Sequence, residues 1–478
     1  MSTSPSPSVA IIGGGLSGAA VAYHLAEYKT EAKITVFEPR PTVGAGLAYG
    51  TTNPAHRINV PAAKMSLIPG QDEHFTNWIS RTDAVADDAE ALAEDGQLYV
   101  RRMLFGKYVY EHLKPRIVSG DITHIEEFVH TIERSGGRWR ITTAEGLIFF
   151  ADIVVLATTH PPPQLPHTLA QALKDDRRLI ADSTNASFEE IDHQARVTII
   201  GSGLTMADVV ASLDRKGHQG TVTAISRHGL LSRGHTRQPF QPFGEFVRDP
   251  SLSAVELLRK VRSTIEEAAA LGVPWQAVID AVRAQAGTFW PTMSLKERSR
   301  IVRHLRSYWD VHRFRVAPQV EHVINRRRAA GTFTLHAASI SGAEPREDHI
   351  LLHLYSRGSM RPLRHETDYV IITTGPAHNR VVEGEPHLAS LAASGLIQGD
   401  SLGLGILCNQ QGRAIAQNGQ AIASLLIVGP LARGTFGELM GLPQVTNYAK
   451  FIADEVQHEL AEPRRSSEQR PEPTAKAQ

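Results

Sequence analysis

Six residues near the start of the chain, Gly13-Gly14-Gly15-Leu16-Ser17-Gly18, have the types and spacing to cradle a pyrophosphate. Gly13 permits a tight turn, Gly15 lets backbone approach the phosphates, and Gly18 lets a following helix pack closely on the preceding strand. The phosphates then sit on a helix N-terminus, where amide N–H groups and the helix dipole favour negative charge. Glu38 lies twenty residues past Gly18, at the end of the next apolar run, placed to bind ribose hydroxyls. An ordinary glycine-rich turn would not need strand, helix and acid together.

A second stretch, Gly201-Ser202-Gly203-Leu204-Thr205-Met206, repeats the pattern about 190 residues later, with Met206 in place of the third glycine. That substitution predicts a helix standing slightly further from its strand. The partner strand ends in Ser226-Arg227-His228 rather than in an acid. An acid would hold a free 2′-hydroxyl, whereas Ser226 and Arg227 suit a 2′-phosphate, which favours NADPH over NADH. Two dinucleotide folds in one chain have a chemical logic: one holds a flavin, and the other docks a nicotinamide so that hydride passes to flavin N5.

The elements that must position these turns can be read around them. Val9–Ile12 and Ile34–Phe37 read as strands flanking a helix through Leu25, the opening of a βαβ unit. Val197–Ile200 and Thr221–Ile225 repeat that arrangement. Ile153–Ala157 is a strand that runs into three prolines, Pro161 to Pro163, which mark a hinge. Residues 251–315 are dense in helix formers, and Ser253…Glu256 and Ser294…Glu297 both fit capping boxes. Thr332–His336 and His349–Tyr355 read as antiparallel strands. Asp368–Thr373, ending in Thr374-Gly375-Pro376, and Leu425–Val428, ending in Gly429-Pro430, read as strands returning to the first unit.

The expected fold is therefore α/β, with two nested Rossmann-like dinucleotide-binding domains and a helical insert. The FAD-binding domain takes 1–165 and 370–455, and the NAD(P)-binding domain takes 190–240 and 316–369. The insert, 241–315, covers the substrate side. The Pro-rich, charged stretch 461–478 is expected to be disordered.

Composition narrows the class. Of 478 residues, Lys+Arg and Asp+Glu number 50 each, which argues against a broadly basic nucleic-acid binder. The single cysteine, Cys408, excludes a disulfide, a CxxC redox pair or a cysteine-ligated cluster within one chain. The start has neither a basic region nor a long apolar one, and no apolar run is long enough for a membrane span, so a cytoplasmic protein is expected.

These motifs resemble the bacterial FAD/NAD(P)-binding oxidoreductases of the YdhS-like type, relatives of the flavin N-hydroxylating and Baeyer–Villiger monooxygenases. The resemblance runs to about residue 455. It rests on Ile11–Gly18, Gly44–Gly50, Arg57–Ser66, Val154–Thr158, Ile200–Asp208, Ile225–Leu231, Tyr308–Arg313, and Val428–Gly434 with Glu438. It implies FAD contacts at Gly13, Gly15, Ser17, Gly18, Glu38, Arg40, Tyr49, Asn59, Lys64, Met65, Ser66, Gly375, Gly429, Pro430 and Glu438. It implies nicotinamide contacts at Gly201, Ser202, Gly203, Leu204, Thr205, Ser226 and Arg227. The family's Ala-Thr-Gly strand ending is Ala157-Thr158-Thr159 here, which puts the backbone geometry between domains in question. No catalytic side chain carries over.

The resemblance implies an FAD-dependent NAD(P)H oxidoreductase with NADPH favoured and NADH the alternative. Three uses of the reduced flavin stay open: hydroxylation of a small molecule with O₂, electron transfer to a partner such as a haem-degrading oxygenase, or a non-catalytic flavin or nucleotide sensor. Weaker signals have plain readings beside functional ones. Lys296 to Arg315 holds seven basic residues against two acids, either a docking face for an acidic partner or a solvated helix. His349 and His353 are four apart on a strand, too far for one metal ion. Cys408 reads as a small buried hydrophobe.

Overall fold

The computed structural model describes residues 6–159, 161, 163, 165–248, 253–358, 361–375 and 380–461. His160 and Pro162 of the proline hinge, Pro376, and residues 462–478 of the expected tail lie outside them.

The first unit opens with β1 (Ser8–Ile12), β2 (Lys33–Phe37) and β3 (Ile122–Ile125). An antiparallel meander follows, β4 (Val129–Ser135), β5 (Arg138–Thr143) and β6 (Ile148–Ala151), leading into β7 (Ile153–Leu156). The second unit contains β8 (Leu179–Ile180), β9 (Val197–Ile200), β10 (Val222–Ser226), β11 (Phe333–Pro345), β12 (Ile350–Ser356), β13 (Pro362–Thr367) and β14 (Tyr369–Ile372). The chain then returns to the first sheet through β15 (Arg413–Ile415) and β16 (Ala421–Ile427).

The first sheet has the order β15–β16–β7–β1–β2–β3 and the second β13–β12–β11–β10–β9–β14–β8. Both centres are parallel, which explains the sequence: β7 is an unbroken Ile/Val/Leu run and β1 and β9 are broken only by Ser8 and Thr198, because both faces of these strands are covered. Helix Leu16–Glu27 crosses from β1 to β2, and helix Leu204–Arg215 crosses from β9 to β10. The fold is thus α/β with two nested Rossmann-like units, each inserting its glycine turn between a buried strand and the next helix.

Several expected boundaries move. The apolar run at 369–372 belongs to the second sheet, because β14 pairs in parallel with β9, Val370 opposite Thr198. The crossover back to the first unit therefore comes after Ile372, not at 370. The second unit also starts earlier than 190, since β8 pairs with β14. The first half of β11 is parallel to β10, Phe333 opposite Val222, and only from Ala338 does it turn antiparallel with β12. The closing helix, Gln444–Ala461, runs past 455. No helix among the described residues is long and apolar enough to cross a membrane.

The insert comprises helices Ala254–Ala270, Trp275–Phe289, Leu295–Arg300 and Arg306–Arg313 with short turns between. It has a core of its own, built on Phe246, Val278, Val282, Phe289 and Met293. Ser253 and Glu256 form a full capping box. At Ser294 only half the box closes: Ser294 accepts from the Glu297 amide, but the Glu297 carboxylate takes the Ala254 amide at 3.0 Å and Arg300 at 2.7 Å instead. Glu297 thereby ties two insert helices together.

Candidate functional site

At the end of β1 the chain turns through Gly13 at φ +100°, a conformation that favours glycine. A Cβ there would also meet the Ala157 carbonyl oxygen at 2.7 Å. Gly18 packs its helix so closely that a Cβ would lie 2.0 Å from the Gly13 carbonyl oxygen. The helix begins at N-cap Gly15 with no side-chain cap and no acid in its first turn, which leaves its amide donors for an anion. Glu38, buried at the end of β2, accepts from the Gly14 amide at 2.9 Å and from the Arg40 amide at 3.2 Å and guanidinium at 3.0 Å. A carboxylate has about four acceptor positions. Three are used, and one remains for a ribose hydroxyl.

Other expected residues gather at this turn. Gly46 sits against Gly15, where a Cβ would be 2.8 Å from the Gly15 Cα. Gly429, at φ +71°, brings the closing segment onto the turn, and a Cβ there would meet Ser17 Oγ at 2.3 Å. Pro430 follows in the turn Gly429–Ala432. Thr158, the middle residue of the Ala157-Thr158-Thr159 strand ending, lies beside Gly13, and its buried Oγ1 has no partner among the described residues. A bare helix end, an oriented acid and an orphaned hydroxyl fit the pyrophosphate and ribose side of FAD.

The stretch 53–66 forms the seam between the two units. Asn53 bonds Ser212 at 2.9 Å, and Arg102 pairs with Asp208 at 3.0 Å. The Asn59 carbonyl accepts from His235, and Lys64 lies 5.6 Å from the Phe240 ring. Burial pushes His235 down to about 4, so it is neutral at pH 7. Met65 is buried in the core. Ser66 closes a turn with Ile68. Tyr49 packs against Phe105 with the rings tilted and their centroids 4.7 Å apart, and burial pushes its hydroxyl up to about 12.

The second glycine turn follows β9. Gly201 sits at φ +127°, and a Cβ there would meet Thr373 Oγ1 at 2.4 Å. Gly203 caps helix Leu204–Arg215 with no side-chain cap, and a Cβ on it would meet nothing within 4 Å. Leu204 and Thr205 open that helix, while Met206 is buried beneath it. Ser202 Oγ bonds Ser226 Oγ at 2.8 Å and the Leu230 carbonyl at 2.6 Å, and Ser226 accepts the Gly229 amide at 3.1 Å. Arg227 is exposed beside them.

Gly375 follows β14, beside this second turn and not over the first, because β14 neighbours β9. Glu438 faces the insert, where it pairs with Arg313 and lines a cavity. Sequence reasoning missed Arg357. The parallel register Ser226–Ala337 and the Arg357 amide bond to the Ala337 carbonyl (2.8 Å) bring it alongside Ser226–His228, where its guanidinium contacts His228 Nδ1 and the Arg227 carbonyl. Burial first, and then the Arg357 and Arg227 charges, hold His228 below its ordinary range. The hairpin β11–β12 carried the only sequence signal for this approach.

The weaker signals resolve locally. His353 bonds Glu344 at 2.7 Å and His349 bonds Asp348 at 2.6 Å, on separate carboxylates. Much of the basic run is paired: Arg300 with Glu297, Arg306 with Asp310, Arg313 with Glu438, and Arg315 with Asp280. Cys408 is buried against Thr435, and burial pushes its thiol up to about 12.

Between the insert and the closing segment lies a cavity of about 140 Å³. Val282, Phe289, Trp290, Ile301, Trp309, Phe314, Leu404 and Met440 make its walls, with Arg306, Asp310, Arg433 and Glu438 as its polar groups.

Comparison with known proteins agrees with this geometry. Residues 10–161 match a protein-family model described as FAD-NAD(P)-binding. No curated protein matches the chain. Among solved structures, the reduced form of the ornithine hydroxylase of Pseudomonas aeruginosa has a TM-score of 0.63 at 18% identity, covering 95% of this chain and 100% of that one. The L-lysine 6-monooxygenase of Pseudomonas syringae has a TM-score of 0.61 at 16% identity, covering 95% and 98%. The thioredoxin reductase of Lactococcus lactis has 0.52 at 12%, covering 95% and 99%. At these identities the likeness is one of fold.

Proposed function

We propose that this chain is an FAD-dependent NADPH oxidoreductase that hydroxylates a small molecule with O₂. The observation that carries the reading is the apolar cavity between the insert and the segment that closes the first unit. Such a cavity suits a small substrate with an apolar body. A reductase of disulfides would need an accessible thiol, and the single cysteine, Cys408, is buried with its thiol pushed up by that burial. Electron transfer to an acidic partner would need a free basic face, and Arg300, Arg306, Arg313 and Arg315 are paired.

In this reading the first turn holds FAD: Gly13, Gly15 and Ser17 seat the pyrophosphate, Gly18 brings the helix in, and Glu38 takes a ribose hydroxyl. Gly429 and Pro430 close over it. Gly201, Ser202, Gly203, Leu204 and Thr205 seat the NADPH pyrophosphate, and Arg227 with Arg357 reads the 2′-phosphate. Ser226, already bonded to Ser202, sets that edge without a repelling acid. Asn59 and Lys64, on the seam, orient the two cofactors toward each other. Bound FAD supplies the two-electron chemistry that connects NADPH to O₂.

The overall balance is one NADPH, one proton, one O₂ and one substrate to NADP⁺, water and hydroxylated product. The test is incubation of the NADPH-supplied protein under ¹⁸O₂ with a panel of small molecules. A product carrying one labelled oxygen is expected. NADPH consumption that yields only hydrogen peroxide across the panel, with rapid reduction of a protein acceptor instead, would overturn the reading.

A further inference from the structure

The cavity under the insert contains one arginine that makes no direct polar contact with a protein side chain among the described residues. Arg433 lines it and is only 6% exposed. Among the described residues, no hydrogen bond or ion pair engages its guanidinium. Burying an unpaired cation is costly, and that burial pushes Arg433 down to about 10, still charged at pH 7. The three nearby acids are committed elsewhere. Asp310 sits 3.5 Å from Arg306, with burial raising its own carboxyl. Glu438 pairs with Arg313, and Trp309 Nε1 donates to it at 3.4 Å. Asp400 accepts the Leu402 and Leu404 amides at 2.8 and 2.6 Å and the Gly405 amide as well.

The walls and size narrow the missing partner. Phe289, Trp290, Trp309, Phe314, Ile301 and Val282 present apolar surface. Trp290 is fixed by its indole N–H to the Gly434 carbonyl at 3.1 Å and by close approach to Gly437, so the wall is rigid. A volume of about 140 Å³ is close to that of an apolar cavity known to hold one benzene, about 150 Å³. No lining residue comes from 13–66, the stretch that builds the first turn and the seam; Arg433, Gly437 and Glu438 come from the segment that closes over that turn, so the cavity lies on the insert side of that segment.

We infer that this cavity binds a small monocarboxylate with an apolar body about the size of one aromatic ring, its carboxylate on Arg433. As a carboxylate site it stands on the cavity alone. As a substrate site it rests on the hydroxylase reading above.

The test uses the flavin-loaded protein and benzoate, phenylacetate, toluene and benzylamine as probes. Binding is read by quenching of the wall tryptophans and by equilibrium dialysis. Benzoate or phenylacetate is expected to bind, and benzylamine is not. Arg433→Met should weaken the carboxylates about tenfold or more while leaving toluene unchanged, the loss of one charge-assisted hydrogen bond. Ala286→Trp, which fills the cavity from the wall, should abolish all three. Benzylamine binding as tightly as benzoate, or Arg433→Met keeping benzoate while losing FAD, would overturn the assignment. Carboxylate binding without labelled product under ¹⁸O₂ would uphold the site and overturn the hydroxylase reading instead.

Discussion

The turn after β1 and the turn after β9 share a plan: a buried strand, a glycine with positive φ, and a helix whose first amides no side chain caps. They differ at two places. The first has Gly18 pressed against the Gly13 carbonyl, where the second has Met206 buried between helix and strand. The first ends its partner strand in Glu38, an acid already oriented by Gly14 and Arg40. The second ends it in Ser226, with Arg227, His228 and Arg357 around it. The shared parts bind what all dinucleotides have in common. The differing parts discriminate, by packing at one position and by charge at the other.

Exchanging the packing position should produce the largest effect. Gly18→Ala places a methyl 2.0 Å from a backbone oxygen, so it should abolish a folded, flavin-retaining protein, read by thermal unfolding and flavin content. Met206→Ala removes a buried side chain instead and should cost about 2–5 kcal/mol with the fold intact. Equal tolerance at both positions would break the contrast. Gly15→Ala is next. A Cβ there meets only the Gly46 Cα, at 3.5 Å, so the variant should fold normally yet lose FAD, because the methyl crowds the phosphates. A fully yellow variant would remove Gly15 from the site.

The charge difference should be smaller and selective. Arg227→Ala and Arg357→Ala should each raise the KM for NADPH about tenfold, with that for NADH little changed. Equal effects on both nicotinamides would mean neither residue reads the 2′-phosphate. The smallest effect distinguishes the helices by pH. His24, buried in the first helix, is pushed down to about 4, chiefly by burial and next by Lys450. Below pH 6.5 the unfolded chain takes up a proton that the folded chain refuses until about pH 4. Stability therefore falls as pH drops through that window, by roughly 1 kcal/mol between 6.5 and 5.5. His24→Leu should remove that share of the slope in denaturant titrations, and an unchanged slope would mean His24 is not the group responsible.

What could be read in advance follows from range. The first turn was legible because strand, glycines, helix and Glu38 lie within 31 residues of chain, Ser8 to Glu38. The insert was legible through its capping serines. β14 was misplaced because an apolar strand ending in Gly-Pro reads alike in either sheet, and only its pairing with β9 decides. Arg357 and Arg433 were out of reach for a similar reason. One arrives at its site through the register of β11 and β12, and the other joins insert residues more than a hundred positions away in the chain.

The most direct measurement is anaerobic mixing of the purified protein with NADPH or NADH, following flavin absorbance. If the first turn holds FAD and the second presents NADPH, the protein is yellow as isolated and bleaches with NADPH at about tenfold lower concentration than with NADH. A colourless protein that takes up no FAD, or a yellow one that neither nicotinamide bleaches, would contradict the pairing of the two turns.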